Sequence, residues 1–168
     1  MNQQEFHDMI YDMYYPDEAR QGAARLRYAE LDREERVSHL RKVLQTDMDG
    51  LIWRAVVLLL QDDPTRHLPS ILPLFDSWLP AVRYVLSAIF GDGRLSVALP
   101  QLVRHAEADP DGRVRHAAIA ALGRCGSVET IEVLGKLLDS DDDDGEGHKL
   151  SEVAKDAIAE LKGRFGIE

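Results

Sequence analysis

An acidic run is the segment of this chain with the clearest potential for chemistry. It spans residues 139–146 and holds six carboxylates in eight positions, and His148 follows shortly after it. Dense carboxylates can ligate Ca²⁺, or they can form a patch that attracts a basic protein surface. The candidate partner-binding carboxylates of this run are Asp141, Asp142, Asp143 and Asp144.

The calcium interpretation fits the sequence only in part. An EF-hand loop counted from Ser140 places acids at its third and fifth positions, Asp142 and Asp144, and a glycine at its sixth. The first and twelfth positions then hold Ser140 and Ser151, where the motif needs an aspartate and a bidentate glutamate. We therefore favour a solvated, mobile acidic loop, and a calcium-sensing loop stays the alternative.

The other metal-ligating and nucleophilic residue types lack the spacing that their chemistry requires. The six histidines include no i, i+4 pair and no HExxH motif, so we expect surface or helix-end roles and no metal site. Cys125, the single cysteine, has no neighbouring base in the sequence and is expected to be a small packed residue. With no phosphate loop or nucleophile elbow in the sequence, we predict no catalytic residue, no cofactor and no enzymatic activity.

The elements that would hold these residues repeat along the chain. Residues 109–123 recur in weakened form 62 and 32 positions earlier, and a fourth copy lies 39 positions later. A period near 30 residues with two helical patterns per unit is typical of a helical solenoid, whose units bury their apolar faces against their neighbours. The longer last interval marks the acidic run as an insertion before the final helix. No segment sustains a period-two alternation, so the predicted fold is all-α.

Two helices are predicted for each repeating unit. The first helices are Gly50–Gln61, Pro80–Phe90, Gly112–Arg124 and Leu150–Phe165, and the second helices are Leu68–Phe75, Val97–Ala106 and Val128–Leu138. Small residues in the first helices should let adjacent units approach closely. Gly91, Gly123 and Gly163 are expected at helix ends, where a left-handed residue is preferred.

The repeat resembles a known family, the HEAT-like repeats first described in phycobilin lyases. The residues that carry the resemblance are Val114, Arg115, Ala117, Ala118, Leu122 and Gly123, with Ile131 and Leu134 in the following helix. The resemblance implies a right-handed alpha-solenoid of about four HEAT-like hairpins over residues 47–168, preceded by an N-terminal helical cap over residues 1–46. Members of the family include protein-binding adaptors, lyase chaperones and DNA glycosylases.

Four charged residues stand at recurring repeat positions, namely Asp49, Arg83, Asp111 and Arg115. A structural role must recur in every repeat, whereas a ligand site need not. We therefore interpret these residues as a ladder in which the aspartates cap helix N-termini and pair with arginines between neighbouring units. A row of ligand-binding arginines is the alternative interpretation.

Charge and hydropathy narrow the range of partners. The net charge of −10 opposes binding to phosphate backbones, so we predict no nucleic-acid partner. The first residues show no signal-peptide pattern, and the longest apolar run, residues 55–60, is too short to span a bilayer. A lone cysteine fits a reducing compartment. We expect a cytoplasmic protein with no membrane contact, monomeric or weakly self-associating.

These observations favour a non-enzymatic protein–protein interaction module with one protein partner, which could present a basic surface. The predicted contact residues, besides the acidic run, are the aromatic Tyr11, Tyr15, Trp53 and Trp78 and the second-helix residues Arg66, Gln101, Arg104, Glu129 and Glu132. The most specific version of this hypothesis is a bacterial immunity protein or antitoxin that blocks a cognate toxin. The alternatives are a phycobilin-lyase-like chaperone and a regulatory adaptor with a calcium-sensing loop.

Overall fold

The described part of the chain folds into helices and their connections. The structure, a computed structural model, describes residues 1–167, and within them it forms ten α-helices and no strand. The helices are α1 Gln3–Asp12, α2 Glu18–Glu30, α3 Arg33–Val43, α4 Asp49–Asp62, α5 Pro64–Ile71, α6 Pro80–Asp92, α7 Leu99–Ala108, α8 Gly112–Cys125, α9 Thr130–Gly135 and α10 Leu150–Phe165. The predicted all-α class is confirmed.

The first helix of each repeat follows its predicted range more closely than the second. Helix α10 has the predicted bounds, and α4, α6 and α8 differ from theirs by one or two residues at an end. The second helices differ more, because proline begins one of them and short 3₁₀ segments flank two. Helix α5 starts at Pro64 and passes into a 3₁₀ segment over Leu72–Asp76, and Ser96–Ala98 is a 3₁₀ turn before α7. Such tight turns are common at helix ends.

The described chain divides into two compact units after Leu74. In the first unit, α1 packs against α2, α3 and α4, and it buries Phe6, Met9 and Ile10 at helical spacing. Helix α4 packs with α3 and α5. The boundary predicted after residue 46 separates the sequence with the repeat motif from the sequence without it. The compact units are defined by contacts and do not test that boundary, so it stays a prediction.

The second unit begins at Phe75 and is centred on α8, which packs against α6, α7 and α10. Small residues make these contacts close. A Cβ atom added at Gly91 would lie 2.7 Å from the Ala121 Cα, and one added at Gly123 would lie 2.9 Å from the Ala157 Cα. The predicted close approach through small residues is therefore present between α6, α8 and α10.

The same glycines correct the expectation that they end helices in the left-handed conformation. Gly91 and Gly123 lie inside α6 and α8, where the lack of a side chain serves packing, and Gly163 lies inside α10. The left-handed cap of α10 is Gly166, with φ 66°. Within residues 1–167, no helix combines the length and apolar character needed to cross a membrane.

Candidate functional site

A buried ion pair joins two successive hairpins of the second unit. The Arg83 guanidinium on α6 donates to both carboxylate oxygens of Asp109, at 2.7 and 2.8 Å, and both side chains are buried. Burial alone would raise the pKa of Asp109, but the hydrogen bonds from Arg83 and from the Asp111 backbone outweigh it and hold that pKa below its usual value. Asp109 is therefore a carboxylate that fixes α6 to the turn before α8.

The aspartates predicted to pair with arginines between repeats were Asp49 and Asp111, but the residue that pairs with Arg83 is Asp109. Asp111 caps α8 by accepting the N–H groups of the next turn, and it pairs with Arg113 of the same helix. Asp49 is the first residue of α4 and accepts only the neighbouring Gly50 N–H. The Asp111 carboxylate is thus engaged with its own helix, whereas Asp109 lies ahead of the cap and accepts from Arg83 on α6.

Arg115, the other predicted ladder residue, contacts the turn and the acidic run. Its guanidinium donates to the Asp109 carbonyl at 2.8 Å and lies 3.8 Å from the Asp142 carboxylate. It therefore links the start of α8 to the inserted loop.

The acidic run folds back against α8. Its backbone pairs with the segment after it: the Asp144 N–H donates to the His148 carbonyl and the Leu150 N–H donates to the Asp142 carbonyl. Positive φ values at Gly145 and Gly147 permit this tight reversal. A Cβ at Gly112 would lie 2.7 Å from the Asp143 carbonyl oxygen, so the loop rests on the first turn of α8.

This arrangement separates residues that the sequence treated as one acidic patch. Asp141, Asp142 and Asp143 are exposed, as expected of a solvated loop, but Asp144 is 7% exposed. The prediction that Asp144 belongs to the exposed surface is therefore wrong. Its carboxylate turns inward because two backbone N–H groups and two imidazoles replace the water that it loses.

Asp144 stands at the centre of a histidine–aspartate–histidine cluster. Its Oδ2 atom lies 3.0 Å from Nδ1 of His116 on α8 and 2.7 Å from Nδ1 of His148 in the loop. Its Oδ1 atom accepts the backbone N–H groups of Glu146 and His148. The imidazole rings meet edge to face with centroids 5.8 Å apart. Three potential ligand atoms thus converge from two elements.

The cluster favours a charged carboxylate. Burial alone would raise the pKa of Asp144, but its backbone hydrogen bonds and the two histidines outweigh that effect and hold the pKa well below its usual value. The hydrogen bond from His148 to Asp144 and the attraction between their charges raise the pKa of His148.

A groove of about 650 Å³ runs beside this cluster in the second unit. Helices α6 and α8 line it with small residues, including Ala81, Ala88 and Ala120, and with Tyr84, which is 45% exposed. Asp92 and Asp111 pair with Arg124 and Arg113 in the lining, Asp144 contacts the two histidines, and Glu146 adds a further carboxylate at the loop. The groove therefore combines an apolar strip with an acidic end at the loop.

An aromatic surface lies in the first unit, where it gathers three of the predicted contact residues. Tyr11 and Tyr15 are exposed neighbours with ring centroids 5.9 Å apart, and the half-buried Trp53 packs edge-on against Tyr14 at 5.1 Å. The Arg54 guanidinium lies over Tyr11, Tyr14 and Trp53, within 5.1 to 5.5 Å of their centroids. Trp53 thus serves packing, while Tyr11 and Tyr15 stay accessible.

Comparison with known proteins identifies the architecture of the middle of the chain. Residues 68–146 match the family profile of HEAT repeats. This segment is similar to HEAT repeats. Together with the all-helical fold, it agrees with the predicted alpha-solenoid. The match gives no support to the phycobilin-lyase type in particular. No curated protein matches the chain.

The remaining predicted contact residues differ in their exposure and in their local partners. Trp78 is 78% exposed in the turn before α6, and Glu132 is exposed on α9. The others have local partners, as the pairs Arg66–Glu34, Arg104–Asp76 and Glu129–Ser127 show, and Gln101 is half-buried. In the HEAT segment, it is the first helices α6 and α8 that line the groove, not the predicted second helices.

The histidines follow the sequence prediction only in part. His39 and His67 are buried inside the first unit, where they form hydrogen bonds, whereas His105 is buried but lies in the last turn of α7, as a helix-end role requires. His116 and His148 lie 32 positions apart in the sequence, so no local spacing rule connects them. The feature of the sequence that pointed to this region was the inserted acidic loop, which precedes the last first helix, α10.

Proposed function

We propose that this protein is a non-enzymatic binding module that holds one partner protein in the groove of its second unit. HEAT repeats generally mediate protein–protein interaction, and residues 68–146 carry them. The observation that supports the groove is its composition: an apolar strip with the exposed Tyr84 ends at an acidic loop. Such a surface complements a segment with an apolar anchor and basic neighbours.

Charge supports a basic partner. From residue 75 onward the sequence holds 17 acidic and 11 basic residues. Arg83, Arg113 and Arg124 pair one to one with aspartates of the same unit, which leaves the excess of acidic residues unchanged. Asp141, Asp142 and Asp143 are exposed on the same loop that contributes Asp144 and Glu146 to the groove, and their negative field would speed the approach of a cationic surface.

The most specific form of this proposal is an immunity protein or antitoxin that acts in the cytoplasm and blocks a basic toxin. A small acidic binder can inhibit by covering a basic active surface, with fast association and one-to-one stoichiometry. Its signature would be neutralisation of the captured partner's toxicity at an equimolar ratio.

The experiment is a capture from the native cytosol with three matched proteins. The first is the wild type. The second replaces Asp141, Asp142 and Asp143 with asparagine. The third makes an equal charge change on the first unit through Glu18→Gln, Glu30→Gln and Asp47→Asn, all at exposed residues. Captured proteins are identified by mass spectrometry, and the affinity of the main partner is measured over a salt series.

We expect one near-stoichiometric partner whose affinity falls about tenfold in the loop variant and stays unchanged in the first-unit variant. The difference between wild type and loop variant should shrink as salt rises. Equal affinities for all three proteins would contradict an acidic docking end. A partner lost on Tyr11→Ala but retained on Tyr84→Ala would move the site to the aromatic surface of the first unit.

A further inference from the structure

We propose that His116, Asp144 and His148 form a binding site for a divalent transition metal ion of the Zn²⁺ class. Among the described residues 1–167, these three are the group of His, Cys, Asp or Glu side chains whose ligand atoms lie within 4.8 Å of one another. Two imidazole nitrogens and one carboxylate oxygen are a common ligand set for such ions. The inference is independent of the partner proposed above.

The geometry requires little movement to accept a metal. Ligand atoms about 2.0–2.2 Å from a tetrahedral zinc ion lie roughly 3.3–3.5 Å from one another. The two Nδ1–Oδ2 distances are 3.0 and 2.7 Å. An ion replacing the two shared protons would therefore widen these separations by roughly 0.3–0.8 Å, which is less than one ångström for either histidine.

The central ligand is held in place by its surroundings. The Oδ1 atom of Asp144 accepts the N–H groups of Glu146 and His148, at 2.8 and 3.1 Å, which leaves Oδ2 directed at the imidazoles. His116 projects from α8, and Asp144 lies on the loop that rests against Gly112 of that helix. Orientation of ligands by outer hydrogen bonds is a recurring property of metal sites.

The ligand types favour a transition metal over calcium. Ca²⁺ takes six to eight oxygen ligands, whereas this cluster offers two nitrogens and one oxygen. Asp144, which the sequence placed at the fifth position of a calcium loop, is committed to His116 and His148. The buried carboxylate supplies the negative charge that a dication needs.

The site has an open side. His116, Asp144 and His148 all line the groove of about 650 Å³, and His148 is exposed. Three protein ligands with access to a groove leave a fourth coordination position for water or for a side chain of a bound molecule.

The test is calorimetric titration of chelator-stripped protein with Zn²⁺ alone, followed by titration with Ca²⁺. The variants are His116→Ala and His148→Ala. His7→Ala is the matched control, since it removes a histidine from the first unit that is remote in sequence from the cluster. Co²⁺ provides a second readout, because a four-coordinate cobalt site gives intense visible absorption. Far-UV circular dichroism checks that each variant is folded.

We expect one Zn²⁺ per chain, a higher melting temperature with Zn²⁺, and no heat with Ca²⁺. Each ligand variant should weaken Zn²⁺ by more than about tenfold and lose the cobalt bands, while His7→Ala behaves as the wild type. Absence of saturable Zn²⁺ binding would overturn the site, as would equal affinities in His116→Ala, His148→Ala and the control. The protein-binding proposal would be unaffected, because its test uses residues outside this cluster.

Discussion

Each unit of this protein contains an arginine–aspartate ion pair that joins its elements, but the two pairs differ in their access to water. In the first unit, Asp62 of α4 accepts from Arg33 at 2.8 and 3.0 Å and contacts His67 Nε2 at 2.8 Å. Its side chain is 18% exposed and that of Arg33 is 45% exposed. In the second unit, the Arg83–Asp109 pair is almost fully enclosed, with side chains 10% and 3% exposed. The same kind of ion pair is thus accessible to water in the first unit and buried in the second.

The units also differ in how their helices approach each other. The second unit uses glycine and alanine, as in the contacts of Gly91 with Ala121 and of Gly123 with Ala157. The first unit uses aromatic rings and arginine, with Arg54 over Tyr11, Tyr14 and Trp53. Where the repeat motif is strong, small residues at fixed intervals allow close packing, and where it is weak, large side chains fill the space.

The sharpest test of the comparison is removal of each aspartate. Asp109→Ala should cost about 3–5 kcal/mol of unfolding free energy, because it leaves the Arg83 charge buried without a partner. Asp62→Ala should cost about 1–3 kcal/mol, because water can solvate Arg33 while the buried His67 loses a hydrogen-bond partner. Urea denaturation followed by far-UV circular dichroism measures both. The double variant Arg83→Met with Asp109→Leu should recover most of the loss. Equal losses of unfolding free energy in the two single variants would contradict the distinction between the accessible and the buried ion pair.

The packing contrast is tested by adding one methyl group. Gly91→Ala should cost about 1–3 kcal/mol, since the new Cβ would meet the backbone of Ala121. Gly163→Ala is the matched control: it is also inside a helix, nothing lies within 4 Å of its Cβ position, and it should stabilise by up to about 1 kcal/mol. The comparison uses melting temperatures and urea midpoints. A Gly91→Ala protein as stable as the wild type would contradict close packing between α6 and α8.

The two tryptophans provide a smaller contrast between the units. Trp53→Ala should destabilise by about 1–3 kcal/mol, because its half-buried ring packs on Tyr14 under Arg54. Trp78→Ala should change stability by less than about 0.5 kcal/mol, because the side chain is 78% exposed. Thermal unfolding of both variants measures the difference. A large loss in Trp78→Ala would show that this residue packs in solution.

The smallest expected effect is a pH dependence of stability that arises from Asp62 in the accessible ion pair. Hydrogen bonds from Arg33 and then His67 lower the pKa of Asp62 from 3.8 to about 2. A lowered carboxyl pKa contributes stability that is present above pH 3.8 and is lost as pH falls through about 2. Asp62→Asn should therefore flatten the decline in stability over this window, as measured by urea midpoints at a series of pH values. Parallel declines in variant and wild type would assign the acid sensitivity to other groups.

The repeat register predicted the helices well because it depends on local patterns. Apolar residues at helical spacing and the turns around Pro80 and Asp111 suffice to place α6 and α8 within two residues of their observed ends. The ladder was predicted less well. Two aspartates, Asp109 and Asp111, occur in the same turn, and the local pattern does not reveal which one caps its own helix and which one reaches Arg83.

The acidic run shows even more clearly that a local sequence pattern does not reveal tertiary contacts. Composition indicated exposure for the whole run, and Asp141 to Asp143 are exposed, yet Asp144 is buried. Its burial depends on hydrogen bonds from His116, which is 28 positions away, and on two glycines that turn the loop back. No property of residues 139–146 alone distinguishes Asp144 from its neighbours.

By itself, the sequence determined the all-α class, the bounds of the first helices to within two residues, and the similarity of residues 68–146 to HEAT repeats, because helix formation and repeat packing depend on the order of residues within about one period. The tertiary structure decided which aspartate joins the hairpins, which small residues touch, and which histidines meet Asp144. These outcomes depend on contacts between residues far apart in the chain, and only the fold brings such residues together.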